Sequence, residues 1–346
     1  MNESLYNAQI SAGAVTSDDV SHPKVLHFGD SAAEYAAAHE SAAVFDLSDR
    51  TQLEVTGADR ATYLHNFCTN EIKGLTAGQG CEAFLVNVKA RVLGHGHFAV
   101  QDESICFHSA AGQQSALLEH LSKYIITEDV ELHDRSSEWS GVLISGQASV
   151  ARLLDLGADV DELPQNGMAS VSIAAHEIRV QRIDWLGAPG FFLTVPSDGA
   201  TDIWHACTAI GIVPAGRHAF DARRIEAGYP LFGIDMNDDF LAPEIGRNEQ
   251  AISYNKGCYL GQEPIARMDA MGHVNRELRV LQIASTGSVP IGSDVLHNEK
   301  SVGRVSSVAA VPGTNRQVAL AVIRTSAGTA GTQLSVNGQT ASVGER

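Results

Sequence analysis

The sequence predicts an α+β protein, with mixed sheets over most of its length and a small all-β unit at the C-terminus. Helical and strand patterns alternate, but the strands are joined by both hairpins and crossovers, which disfavours a doubly wound parallel sheet. After about residue 275 the helical signals vanish, and short strands are punctuated by Gly, Pro and Asn-Gly. The chain has 346 residues, of which 44% are hydrophobic and 19% charged, enough apolar material to build cores in roughly two to three domains.

Residues 1–24 are polar and without a clear period, and read as a loosely held arm. Ser31 to Glu40 is alanine-rich and reads as a helix capped by Ser31. Val44 to Ser48 and Thr51 to Thr56 read as strands, the second by its alternation. A helix follows Gly57 and runs through Tyr63, Leu64 and Phe67 to an end at Thr69 and Asn70. Ala83 to Asn87 and Arg91 to Val100 form a hairpin, and Ala116 to Lys123 a helix. Strands recur near 141–144, 171–173, 178–183 and 191–195, before a helix over 203–210. The closing strands are expected at 280–284, 302–308, 317–323 and 333–336, with Asn337-Gly338 as a hairpin turn and the whole as a partial barrel. The expected domains are the arm, a central region over 25–270, and the β unit over 276–346.

The formal net charge is -17, which repels phosphate backbones and anionic membranes and argues against general nucleic-acid binding. There are five cysteines, an odd number with no CxxC pair, as expected of a reducing compartment. The N-terminus lacks a basic start followed by an apolar run, and no stretch of about 18 apolar residues occurs. A cytoplasmic protein without a membrane span is expected.

Chemistry concentrates between Gly216 and Arg267. Phe220 to Pro230 reads as a helix stopped by Gly228 and Pro230, which puts Glu226 in its last turn. A carboxylate there opposes the helix dipole and needs a compensating partner. A ligand with adjacent N–H and amino groups would supply a forked pair of hydrogen bonds, and a salt bridge to Arg223 would serve equally. Further on, Lys256-Gly257-Cys258-Tyr259-Leu260-Gly261-Gln262-Glu263 sets two glycines around a cysteine and an aromatic. The backbone can approach a ligand closely here, and Lys256 can lower the pKa of Cys258. The thiol is then a nucleophile, a redox group or a metal ligand, or else an inert buried side chain. His95 and His97 share a strand face and could hold a metal with His65 or His108, or His95 could act as a general base. No metal site is assigned.

The stretch KGCYLGQEPIARM resembles the signature of YgfZ-type folate-binding proteins, relatives of the glycine-cleavage T-protein linked to iron–sulfur enzyme maintenance and tRNA modification. RRIEAGYPLFGIDM is similar to the family's folate-site helix, with Glu226 at the pteridine-binding position. Pro243-Glu244, the segment FDLSDRTQLEVTGADRATYLHNFCTNEI with Gly57 and Asn70, and SVGRVSS extend the likeness over about residues 30 to 345. The resemblance implies a three-lobed fold, two α+β lobes and a small β-barrel around a central folate cavity. It implies tetrahydrofolate or a derivative as cofactor, and iron–sulfur enzymes or assembly proteins as partners. Lys256, Tyr259, Gln262 and Glu263 enter as cofactor-site residues through the signature. Arg224, Arg247 and Arg267 are candidates for the anionic glutamate tail on charge alone. One departure bears on activity: Gly94 and His95 fall where T-proteins carry an aspartate pair used in aminomethyl transfer. A folate-binding protein with a functional cysteine is therefore expected, with a one-carbon transferase using an altered base as the alternative.

Overall fold

The computed structural model describes residues 2–19, 23–272, 274–284 and 287–345. Two compact units emerge. One comprises Met1–Arg50, Arg135–Tyr229 and Ala310–Thr314; the other comprises Thr51–Asp134, Pro230–Ala309 and Asn315–Arg346.

In the first unit, six strands lie in the order Met168–Ile173, His176–Arg182, Gly190–Pro196, Trp139–Ser145, Ala43–Asp46 and Val213–Pro214. All neighbours are antiparallel except the last pair, Val213–Pro214 alongside Ala43–Asp46. Ile178, Val180, Phe191, Leu193 and Val195 turn inward to a core completed by Ile203, Trp204 and Cys207 of the helix Ala200–Ala209. The helix Ser31–Glu40 has Asp30 as its cap, not Ser31: the Asp30 carboxylate accepts from the amides of Ala32 and Ala33 at 3.1 and 3.0 Å.

The loosely held arm is corrected within its described residues; residues 1 and 20–22 lie outside them. Glu3–Ser11 is a helix, and its Leu5 is fully buried in the same core as Ile203 and Trp204. Asn2 caps this helix through the Leu5 amide and donates to the Ser197 carbonyl, so the start of the chain is fastened at two points. One buried leucine in a polar stretch leaves no period to detect, which is why the sequence hides it.

The second unit contains a five-stranded sheet in the order Gly80–Val86, Val92–Val100, Ser104–Ala111, Arg50–Thr56 and Glu131–Asp134. It also contains the C-terminal barrel, which is closed and six-stranded. Arg276–Ile283, Gln317–Arg324, Lys300–Ala310, Asp294–His297, Gln333–Val336 and Gln339–Val343 follow one another around it, and Leu281 opposite Val343 completes the ring. Closure removes the free edges that a partial barrel would leave. Asn337 and Gly338 both take positive φ, 48° and 74°, the conformation of a two-residue hairpin turn. Residues 285, 286 and 346 of the expected β unit lie outside the description. Among the described residues no helix is long and apolar enough to cross a membrane.

A Leu5→Ala substitution should cost about 2–5 kcal/mol by opening a cavity in a closed core. Urea denaturation checks it; a loss below about 0.5 kcal/mol would mean the helix is not docked.

Candidate functional site

Glu226 is the last residue of the helix Arg217–Glu226. The helix ends in a Schellman arrangement. Gly228 takes φ 68°, its amide donates to the Ile225 carbonyl, and the Tyr229 amide donates to the Arg224 carbonyl at 2.7 Å. Oε2 of Glu226 accepts from the Tyr35 hydroxyl at 2.5 Å and lies 3.4 Å from Nη1 of Arg223. The ion pair with Arg223 is therefore present, and it takes only one of the two carboxylate oxygens. Oε1 has no protein partner among the described residues, and the side chain is 23% exposed. Tyr35 is the member of this cluster that the sequence reading missed, since nothing local links position 35 to position 226.

Arg224, expected on the anionic tail, is corrected. It is 2% exposed, bonds Asp221 at 2.7 Å, and donates to the Tyr229 carbonyl, so its charge is spent on closing the helix end. Burial raises the pKa of the Asp221 carboxyl, but Arg217 and Arg224 outweigh this and hold it below its ordinary value.

The cysteine segment lies in the other unit. Lys256 is 7% exposed, and its ammonium donates to three backbone carbonyls, those of His65, Cys68 and Asn70, at 2.6, 2.9 and 2.7 Å. Its ammonium also lies 4.7 Å from the centroid of the Tyr259 ring. Burial draws the Lys256 pKa below its ordinary value. The expectation that Lys256 activates Cys258 is corrected: the thiol it faces is Cys68, at 3.9 Å. That thiol is buried, and burial pushes its pKa up despite the ammonium. Cys258 is the exposed one of five free cysteines. It sits on a turn pinned on both sides, by Lys256 before it and by Tyr259, packed with Phe84 and Ile265, after it. The Leu260 amide donates to the Asn66 carbonyl at 2.8 Å, which adds a third fastening.

Gly261 takes φ 80°, and a Cβ there would sit 2.5 Å from the Asn87 carbonyl oxygen. The glycine is needed for close approach to a neighbouring turn. The segment then becomes the helix Gln262–Met271, which the sequence reading did not foresee. Its first turn carries Gln262, half-buried, and Glu263, exposed; Arg267 is exposed one turn on. The structure thus groups Cys258, Gln262, Glu263 and Arg267 on one short stretch, with Lys256 and Tyr259 beneath it as anchors.

His95 and Arg247 belong to a buried ion network. Glu82, 2% exposed, accepts from Nε and Nη2 of Arg247, both at 2.5 Å, and its Oε1 lies 2.7 Å from Nε2 of His95. Phe84 stacks on the His95 ring at 4.8 Å. His95 is 3% exposed, so it does not present itself to solvent as a free base, and Arg247 has already met its carboxylate. Burial would raise the Glu82 pKa, but Arg247 and His95 overcome it and hold the carboxyl well below its ordinary value. Glu82 was missed, although a charge inside the apolar run Cys81 to Val86 signals a buried partner. At position 94 a Cβ would lie 2.8 Å from Cδ2 of Leu117, so any side chain there requires that methyl group to shift. Among the described residues no group of three His, Cys, Asp or Glu side chains could hold a metal.

The chain is similar to a family model, two relatives and a solved structure. The model of the GCVT N-terminal domain matches residues 5–252. A chloroplastic candidate transferase of Arabidopsis thaliana is 29% identical over 335 residues, covering 96% of this chain and 76% of that protein. The aminomethyltransferase of Pseudothermotoga lettingae is 24% identical, covering 92% of this chain and 89% of its own. In fold, the crystal structure of the glycine cleavage system aminomethyltransferase T from Bartonella henselae superposes with a TM-score of 0.88 at 20% identity, over 99% of this chain and 96% of that one.

Removing one member of the buried network leaves an unpaired charge. Arg247→Met should cost about 3–5 kcal/mol at neutral pH, read by chemical denaturation. Glu82 stabilises the fold above its ordinary pKa of 4.5, and that contribution is lost as pH falls below it toward the depressed folded value. The stability of Glu82→Gln should therefore fall less steeply than wild type below that pH. Parallel acid profiles would show that the carboxylate is not the group responsible.

Proposed function

The chain belongs to the GCVT N-terminal domain family, and from that premise we propose that it is a tetrahydrofolate-binding protein of the YgfZ type. In this reading folate is the cofactor, Cys258 is the functional thiol, and the service is to iron–sulfur enzymes, their assembly proteins or tRNA modification, in the cytoplasm.

The observation that carries the reading is the divided carboxylate of Glu226. Tyr35 and Arg223 hold Oε2, which orients the group, while Oε1 has no protein partner among the described residues. An oriented acceptor at a helix C-terminus suits the amino and ring N–H donors of a pterin, which relieve its repulsion from the dipole. Relatives named as aminomethyltransferases support a folate in this fold. Against the transfer itself stand Gly94, which offers no carboxylate, and His95, which Glu82 and Phe84 enclose. Tetrahydrofolate, when bound, would supply a one-carbon carrier; the chain's own residues would orient its ring through Glu226. Of the three arginines considered for its tail, Arg267 alone is exposed and without a protein partner among the described residues. Cys258 is suited to redox or thiol-exchange chemistry with a partner protein because its turn is exposed yet held at both ends.

Glu226→Ala should weaken tetrahydrofolate binding by about 1.5–3 kcal/mol, the value of a charged hydrogen-bonding partner. Isothermal titration with tetrahydrofolate and its formyl and methylene forms measures it, and unchanged affinity would move the pterin elsewhere. Cys258→Ala should keep that affinity and fail to complement a strain defective in iron–sulfur enzyme maintenance. Full complementation would remove the cysteine from the mechanism.

A further inference from the structure

The barrel-bearing unit holds a cavity of about 700 Å³ whose lining includes Arg91, Arg276 and Arg324, with Glu244 as its carboxylate. None of the lining residues comes from the unit that carries Glu226. The volume falls within the roughly 300–1,000 Å³ of small-molecule sites. Two positive charges are left in excess there, in a chain whose net charge is -17.

The arginines differ in how they are held. Arg276 sets Nε and Nη2 on the two oxygens of Glu244 at 3.0 and 3.1 Å and donates from Nη2 to the Asp239 carbonyl at 2.8 Å. Its guanidinium lies 4.6 Å from the centroid of the Phe240 ring. Arg91 donates to the same Asp239 carbonyl through Nη1 alone. Both are thereby fixed, and a guanidinium has five N–H donors, so each keeps some unspent. Arg324, at the end of the barrel strand Gln317–Arg324, is exposed, and its side chain makes no hydrogen bond or ion pair with any described residue. The backbone beside it is firm. The Thr325 hydroxyl donates to the Val274 carbonyl at 2.6 Å and the Thr325 amide to the Asn275 carbonyl at 3.1 Å. Leu241 and Val274 add apolar wall.

Like charges converging on one cavity oppose each other unless an anion comes between them. Glu244 is already committed to Arg276, so it does not serve Arg91 or Arg324. We propose that this cavity binds a small organic oxyanion, a phosphate or carboxylate group on an apolar body. Arg324 and Arg91 take the oxygens as forked donors, and Leu241 and Val274 cover the body.

The test is isothermal titration of the full chain at low ionic strength with phenyl phosphate and with benzoate, which separate the two oxyanions on one apolar ring. Saturable binding of either probe, weakened about tenfold or more by Arg324→Gln and further by Arg91→Gln, is the expected result. Added salt should weaken it too, since the charges are partly exposed. No saturable heat with either probe, or equal affinity in wild type and Arg324→Gln, would overturn the proposal. Arg324 is exposed, so its variant should keep the wild-type thermal melt and its tetrahydrofolate affinity. Loss of folate and oxyanion binding together would overturn a separate site.

Discussion

A buried ammonium must be met by oxygen, and Lys256 meets three backbone carbonyls, one in the last turn of the helix Arg60–Phe67 and two just after it. That constraint organises the cysteine segment. The carbonyls of His65, Cys68 and Asn70 converge because the preceding helix ends there. Asn70 holds the loop in turn through its side-chain amide, which donates to the carbonyls of Glu82 and Gln250. With Lys256 below and Tyr259 packed beyond it, the two residues between them, Gly257 and Cys258, are left at the surface. Exposure of this thiol is the product of anchoring on either side.

Buried charge is handled the same way elsewhere in that unit. Glu82 gathers Arg247 and His95, and Glu244 gathers Arg276. Such networks specify partners as much as they stabilise, since desolvation offsets much of the attraction between the charges. They also explain why residues that look like site chemistry in the sequence are withdrawn from it. His95, Arg247 and, in the other unit, Arg224 all spend their polar atoms inside the protein. Glu226 differs because its neighbours claim one oxygen and leave the other.

Much of the fold was legible. The strands around Phe191 and Ala83, the helix stop at Gly228 and the hairpin at Asn337-Gly338 follow from periodicity and turn chemistry, which act over a few residues. The helices Glu3–Ser11 and Ser149–Asp155 escaped because short helices with one or two inward residues carry little period. The strand Ser104–Ala111 escaped as well; seven of its eight residues are buried, so it offers no alternation to read.

For the candidate site, the sequence by itself determined which groups are present: a carboxylate at a helix end, a lysine and a cysteine two residues apart, and a glycine at position 94. These are statements about neighbours along the chain. Only the tertiary structure decided which groups are free. Tyr35 reaches Glu226 across 191 positions, Arg247 reaches Glu82 across 165, and Lys256 turns to Cys68 instead of Cys258. Desolvation is the physical reason. A charge carried into the interior must take whatever partner packing brings to it, and sequence spacing says nothing about who that partner is.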